Sequence, residues 1–195
     1  DLEVTVAAGG RTRAPIRLKA KEPFDVRLDG VKNGDLYEIR YDGGKLEGRL
    51  SLPGPRPGGF GFAIQADSHL DQNTSPRIYT QTLTLEHAAK PDFLIDLGDT
   101  FMNDKHPDYR DALPMYQAQH YYLGLVGVNA PVFLVLGNHD GEQGWIDRNR
   151  PGMDEWSSVQ RKRHFPPVQT DDLHAQTTTG FGHWARPNIV GSCAF

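Results

Sequence analysis

Three short clusters carry side chains able to hold a cation or move a proton. They are Asp67-Ser68-His69, Gly98-Asp99 and Gly137-Asn138-His139-Asp140. Carboxylate, imidazole and amide oxygen suit Zn, Mn or Fe. Cys193 is the only cysteine, so neither an intrachain disulfide nor a thiolate zinc site can be built. Asp67 and His69, two apart at a strand end, are predicted to point the same way and share one metal. Asp99 has two oxygens with which to bridge two metals, and Asn138 offers a neutral oxygen to the second. Glycine before Asp99 and before Asn138 lets the backbone turn sharply and approach the ions closely.

These clusters converge only if three strands deliver them to one edge. Apolar runs at 60–65 (FGFAIQ), 92–97 (DFLIDL) and 131–136 (PVFLVL) suit buried strands. Between them, helices are predicted over 76–89, opened by Ser75-Pro76 as cap and first position, and over 108–125. A further helix is predicted over 153–164. Strand, helix, strand, helix, strand is the pattern of a parallel α/β sheet with covering helices. The steps of 32 residues from Asp67 to Asp99 and 39 from Asp99 to Asn138 each fit one such unit. All three clusters then lie at the carboxyl ends of the strands, where such sheets bind ligands.

Ahead of this core the pattern is different. Segments 2–6, 24–28, 36–41 and 45–52 alternate apolar and polar residues, separated by Asp29-Gly30, Asn33-Gly34-Asp35 and Asp42-Gly43-Gly44. Residues 1–57 are therefore read as a small antiparallel β segment, with a Pro/Gly-rich boundary at 53–59. Residues 58–165 form the core. In 166–195 no periodicity of either kind persists, and the tail is left unassigned, expected to be truncated or out of frame. The net charge of −4 gives no electrostatic case for an obligatory nucleic-acid partner. No apolar run approaches the length of a membrane span. The chain starts at Asp1 rather than Met, which fits a cleaved secretion signal or a fragment, and an extracytoplasmic location is suspected. Oligomeric state is not legible.

Asp67-x-His69, Gly98-Asp99 and Gly137-Asn138-His139-Asp140, in this order and spacing, resemble the first three motifs of the calcineurin-like metallophosphoesterase superfamily. The resemblance covers about residues 60–140. It implies the βαβαβ half of a metallophosphoesterase sandwich. It also implies hydrolysis of phosphate mono- or diesters by a hydroxide bridging two divalent ions (Mn, Zn or Fe). Asp67, His69, Asp99 and Asn138 would be the metal ligands. His139 would stabilise the transition state or protonate the leaving group, and Asp140 would accept the other imidazole N–H. The β-rich start is similar in arrangement to purple acid phosphatases. Met102 stands where those enzymes have tyrosine, and they lack a histidine at the position of His69, so an iron-tyrosinate site is not expected.

The same resemblance implies later histidines, usually ending in Gly-His-x-His. This chain has Gly182-His183-Trp184-Ala185. A non-catalytic binding or scaffold module with a degenerate metal site therefore remains the alternative, and the polypeptide by itself is a candidate inactive fragment. Among the other residues, Asp96 is read as a local hydrogen-bonding group and His106 as a loop residue able to meet substrate. His87 and His120 are read as surface or packing residues. His164 and His174 are ligand candidates by elimination.

Overall fold

The computed structural model describes residues 2–20, 22–24, 26–50, 58–71, 73–142, 150–165 and 188–190. The N-terminal sheet contains β1 (Leu2–Ala8), β2 (Arg11–Thr12), β3 (Ile16–Leu18), β4 (Leu36–Tyr41) and β5 (Gly44–Arg49). The order is β2-β1-β4-β5, with β3 also paired to β1 and all pairings antiparallel. Val4, Val6 and Ala8 alternate inward along β1, and Tyr37 and Ile39 do so along β4. This is the predicted period of two.

Among the described residues of the strand expected over 24–28, none is in a strand. One edge of β1 pairs with β4, and the other is taken by residues 11–18, with Leu2 opposite Leu18 and Ala7 opposite Thr12. No edge of β1 remains for 24–28. Val26 and Leu28 instead lie against the small core as half-buried packing. Most of the proposed boundary, 53–57, lies outside the described residues. The sheet meets the rest of the molecule at the end of the second helix, where the Tyr37 hydroxyl donates to Val128 O at 2.7 Å and Arg49 N donates to Asn129 Oδ1 at 3.1 Å.

The expected βαβαβ unit follows. Its strands are β6 (Phe62–Gln65), β7 (Phe93–Asp96) and β8 (Val132–Leu134), parallel and in that order. The crossovers are α1 (Pro76–Ala88) and α2 (Leu113–Gly127), the latter preceded by a 3-10 turn, Tyr109–Ala112. Ser75 caps α1 through its hydroxyl, which accepts from Ile78 N, and Pro76 fills a position that needs no donor. In α2 the buried residues include Tyr116, Gln119, Leu123 and Val126, one stripe at helical spacing. They pack with Leu83, Leu94, Val132 and Phe165, all fully buried. Burying each such apolar side chain favours the fold by about 1.5–3 kcal/mol. α3 (Met153–His164) has the predicted bounds and docks on α2.

The opposite face of this sheet carries Phe62 and Ile64, both exposed, with the Phe62 and Phe93 rings stacked at 5.1 Å. Among the described residues one face is covered by helices and the other is left open, the half-sandwich the sequence predicts. The unassigned tail contributes a strand the sequence does not reveal. β9 (Asn188–Val190) pairs antiparallel with β8, Val190 opposite Val132. Three residues are too few for a period to register.

Candidate metal centre

β6 ends at Gln65, and the chain leaves it through backbone that only fixed surroundings would hold. Asp67, His69, Leu70 and Asp99 all have positive φ, at 59°, 52°, 53° and 55°. Non-glycine residues pay about 1–3 kcal/mol each for such conformations, which persist when the neighbourhood over-determines them. Here Asp67 N donates to Gly98 O at 3.0 Å and His69 N to Asp99 O at 3.2 Å, locking the first loop to the second. Asp67 and His69 therefore meet through a left-handed turn. The predicted strand alternation is not what aligns them.

The outcome is nonetheless convergence. Asp67, His69 and Asp99 each offer one ligand atom, and these atoms lie within 4.8 Å of one another. His69 Nε2 stands 3.4 Å from Asp67 Oδ1, and His69 Nδ1 lies 3.7 Å from Asp71 Oδ2 on its other side. Nε2 is buried and has no hydrogen-bond partner. A buried ring nitrogen without a partner, beside two carboxylates, is the donor set a divalent cation completes. The residues present fit a metal.

Gly98 and Gly137 bring the second and third loops together. Gly98 has φ +98°, and a Cβ there would collide with Gly137 N and lie 2.7 Å from Gly137 Cα and Leu136 C. The backbones touch because neither residue has a side chain. Asp99 Oδ1 then accepts His139 N at 2.8 Å. Asn138 is exposed on the rim between two anchored neighbours, since Gly137 N donates to Asp140 Oδ2 at 2.8 Å. The His139 ring lies 6.3 Å from the His69 ring, edge to face.

The ring partner predicted for His139 is corrected. Asp140 does not take it. Its carboxylate turns inward and accepts four backbone N–H groups, from Asp99 (3.0 Å), Thr100 (2.7 Å), Phe101 (2.8 Å) and Gly137 (2.8 Å). Three consecutive amides form an anion-binding concavity that a nearby carboxylate fills. Burial pushes the Asp140 carboxyl up to about 6, against the pull of the Phe101, Gly137 and Thr100 amides. Asp140 staples the loop of Asp99 to the loop of His139. The imidazole meets Asp104 instead, Nδ1 to Oδ2 at 2.7 Å. A carboxylate only accepts, so Nδ1 carries the hydrogen and Nε2 is left facing away from Asp104.

Asp104 was missed in the sequence. It lies in a 3-10 turn, Asn103–Lys105, whose geometry sets its reach. The only signal was an acidic residue in the loop after Asp99. Arg150 holds that loop, its Nη1 donating to Asp104 O at 2.9 Å and His106 O at 2.7 Å. Asp96 is buried beneath the rim and bonds Gly98 N and Thr100 Oγ1, the local role expected of it. Burial raises its carboxyl. His164, a ligand candidate by elimination, is buried against the Tyr116 ring at 6.0 Å and belongs to the core. His174 and His183 lie outside the described residues.

A parallel sheet whose strand ends gather two carboxylates and an imidazole around one point presents a candidate cation site at its ligand-binding edge. The calcineurin-like phosphoesterase family model matches residues 60–187, running from β6 through the segment where periodicity fades. The chain belongs to the calcineurin-like phosphoesterase family. No curated protein matches it.

Proposed function

We propose that the protein hydrolyses phosphate mono- or diesters at a centre of two divalent ions, Mn, Zn or Fe, held by Asp67, His69, Asp99 and Asn138. The family supports phosphoester hydrolysis in general, with a phosphate ester as substrate. One observation carries the site. The ligand atoms of Asp67, His69 and Asp99 lie within 4.8 Å of one another, with His69 Nε2 buried and unpartnered. Bound cations would supply an acidified water and neutralise charge on the phosphoryl oxygens.

The protein's own groups do the rest. His139 is held at its Nδ1 by Asp104 and at its backbone N–H by Asp99. Its Nε2 faces a phosphoryl or departing oxygen and gives that oxygen a proton when the ring is charged. Asp104 fixes the ring's tautomer and tilt. Asp140 touches no substrate in this scheme. It keeps the Asp99 and His139 loops in register.

Hydrolysis of p-nitrophenyl phosphate and of its bis-ester, with added manganese or zinc, tests the proposal. Activity that vanishes in Asp99→Ala supports it. One observation favours a non-catalytic binding module instead: Ala185 stands where the resemblance places the second histidine of Gly-His-x-His. Metal uptake without hydrolysis of either ester would select that reading.

A further inference from the structure

Gln119 is fully buried at the middle of α2, under the rim, and every hydrogen-bonding position of its amide facing the loops is used. Its Nε2 donates to Ser68 Oγ at 2.7 Å and to Thr100 O at 3.1 Å. Its Oε1 accepts from the Tyr79 hydroxyl at 3.2 Å. Thr100 O only accepts, which fixes the end of the amide that faces the loops. Ser68 stands between Asp67 and His69, and Thr100 follows Asp99. One side chain thus ties the loop with two candidate ligands to the loop with the third.

The hydrogen bonds close into a ring. The Tyr79 hydroxyl accepts from Gln65 Nε2 at 3.2 Å, and the same nitrogen donates to Asp96 Oδ2 at 2.6 Å. Asp96 Oδ1 accepts from Thr100 Oγ1 at 2.8 Å, returning to the residue where Gln119 began. Strand ends, α1 and α2 are joined in one circuit, buried except at the half-buried Gln65. A network in which each member is satisfied rigidifies its surroundings more than isolated pairs do. The positive φ angles at Asp67, His69 and Asp99 need such support.

We propose that Gln119 is a positioning residue for the metal centre. It sets the separation of Asp67 and His69 from Asp99 before any cation arrives, and so raises cation affinity without touching the ion. The proposal rests on the metal-centre reading above. Groups that orient ligands typically change metal affinity by about 10- to 100-fold when removed.

The test is Mn2+ titration by calorimetry on the full chain: wild type, Asp99→Ala, Gln119→Met, Ser68→Ala and Val126→Ala. Gln119→Met keeps the size and removes the amide. It is expected to weaken Mn2+ binding by about tenfold or more. Ser68→Ala removes one of the two loop bonds and is expected to weaken binding less, with no further loss when added to Gln119→Met. Val126→Ala, a packing loss on the same helix, is expected to lower the thermal midpoint and leave affinity unchanged. Asp99→Ala is expected to abolish binding. Affinity unchanged in Gln119→Met while Asp99→Ala abolishes it would overturn the positioning role and leave the metal centre standing. Undiminished binding in Asp99→Ala, or none in the wild type, would overturn both. Should Gln119→Met fail to fold, Ser68→Ala decides alone, and unchanged affinity there refutes the role.

Discussion

On the N-terminal sheet, charged pairs lie in water. Arg27 Nε meets Asp29 Oδ1 at 2.7 Å, Arg13 meets the same carboxylate at 3.3 Å, and Lys45 meets Glu47 at 2.6 Å, all with exposed side chains. At the rim of the β6–β8 sheet, polar groups are sealed away. Asp96, Asp140, Thr100 and Gln119 are each at most 1% exposed. The pairs look similar as distances and differ in what their loss leaves behind. An exposed carboxylate that loses its partner regains water. A buried amide or carboxylate that loses its partner regains nothing and costs the full desolvation penalty. The geometry of the candidate metal centre is built from the second kind.

Glycine substitution gives the widest separation between the two regions. Gly43, in the β4–β5 turn, has φ +100° and open space where a Cβ would go. Gly98 has nearly the same φ, but an added Cβ runs into the backbone of Gly137. Gly43→Ala is expected to cost about 1–2 kcal/mol, the penalty of a left-handed alanine. Gly98→Ala adds a backbone collision and is expected to lose more than about 4 kcal/mol or to prevent folding. Urea unfolding of both variants measures this. Equal losses would mean that the second and third loops are not in contact as described.

Asp140→Asn comes next. Both oxygens of Asp140 are used, Oδ1 by Thr100 and Phe101 and Oδ2 by Asp99 and Gly137. An amide replaces one acceptor with a donor, so one pair of N–H groups faces another N–H. The expected loss is about 2 kcal/mol or more by urea unfolding. A loss near zero would show that the loops tolerate unpaired amides and that the rim is wetter than its burial implies.

Within the second region, two buried groups respond to acid in opposite senses. Burial and the neighbouring charges of His120 and Arg163 push the His164 imidazole down to about 4 from its ordinary 6.5. The unfolded chain then takes up this proton first. Stability present above pH 6.5 is lost as pH falls towards about 4, by at most about 3 kcal/mol. Asp140 works in the opposite sense, since its raised carboxyl favours the fold most at low pH and loses that contribution as pH rises through about 6. Comparing the urea midpoints of wild type and His164→Gln at pH 7 and pH 4.5 isolates the histidine. The variant should lose less between the two pH values, and an identical loss would place His164 in contact with solvent.

Asp104→Asn probes chemistry with little cost to the fold. The amide can still accept from His139 Nδ1 but carries no charge. A fall in kcat of about 10- to 100-fold is expected, with Mn2+ affinity unchanged. Weakened metal binding with normal kcat would assign Asp104 to the cation and not to the ring.

How much of this was legible follows the same division. The β4–β5 hairpin and the βαβαβ order were readable because period and turn residues are local properties, whereas the two short strands at 11–12 and 16–18 that pair with β1 were not. The segment at 24–28 had the right alternation, but occupancy of the β1 edge is a tertiary fact, and it became packing. Asp67, His69 and Asp99 were found through their position at strand ends, although a left-handed turn and not strand alternation aligns them. The partner of His139 was misassigned because Asp140 is adjacent in sequence, while three of the four amides that capture it belong to residues 99–101. Asp104, 35 residues before His139, has no sequence rule linking it to the ring. Gln119 sits in a stripe that marks it only as a polar residue on a buried helical face.

The smallest effect is expected from Arg27→Gln. The Arg27 side chain is 85% exposed, and its guanidinium holds Asp29 below the ordinary carboxylate value through a hydrogen bond and charge. A lowered carboxyl contributes stability above its unfolded value of 3.8 that is lost as pH falls below it. At pH 7 that contribution would be fully present, yet both groups are solvated and screened, and Arg13 still reaches Asp29. No measurable shift in urea midpoint is therefore expected at pH 7, with or without 0.5 M salt added as a control at about one Debye length of 4–5 Å. A shift as large as that of Asp140→Asn, removed by salt, would mean that charge on the N-terminal sheet is shielded from water by something packed against it. The contrast between the two sheets would then be one of degree.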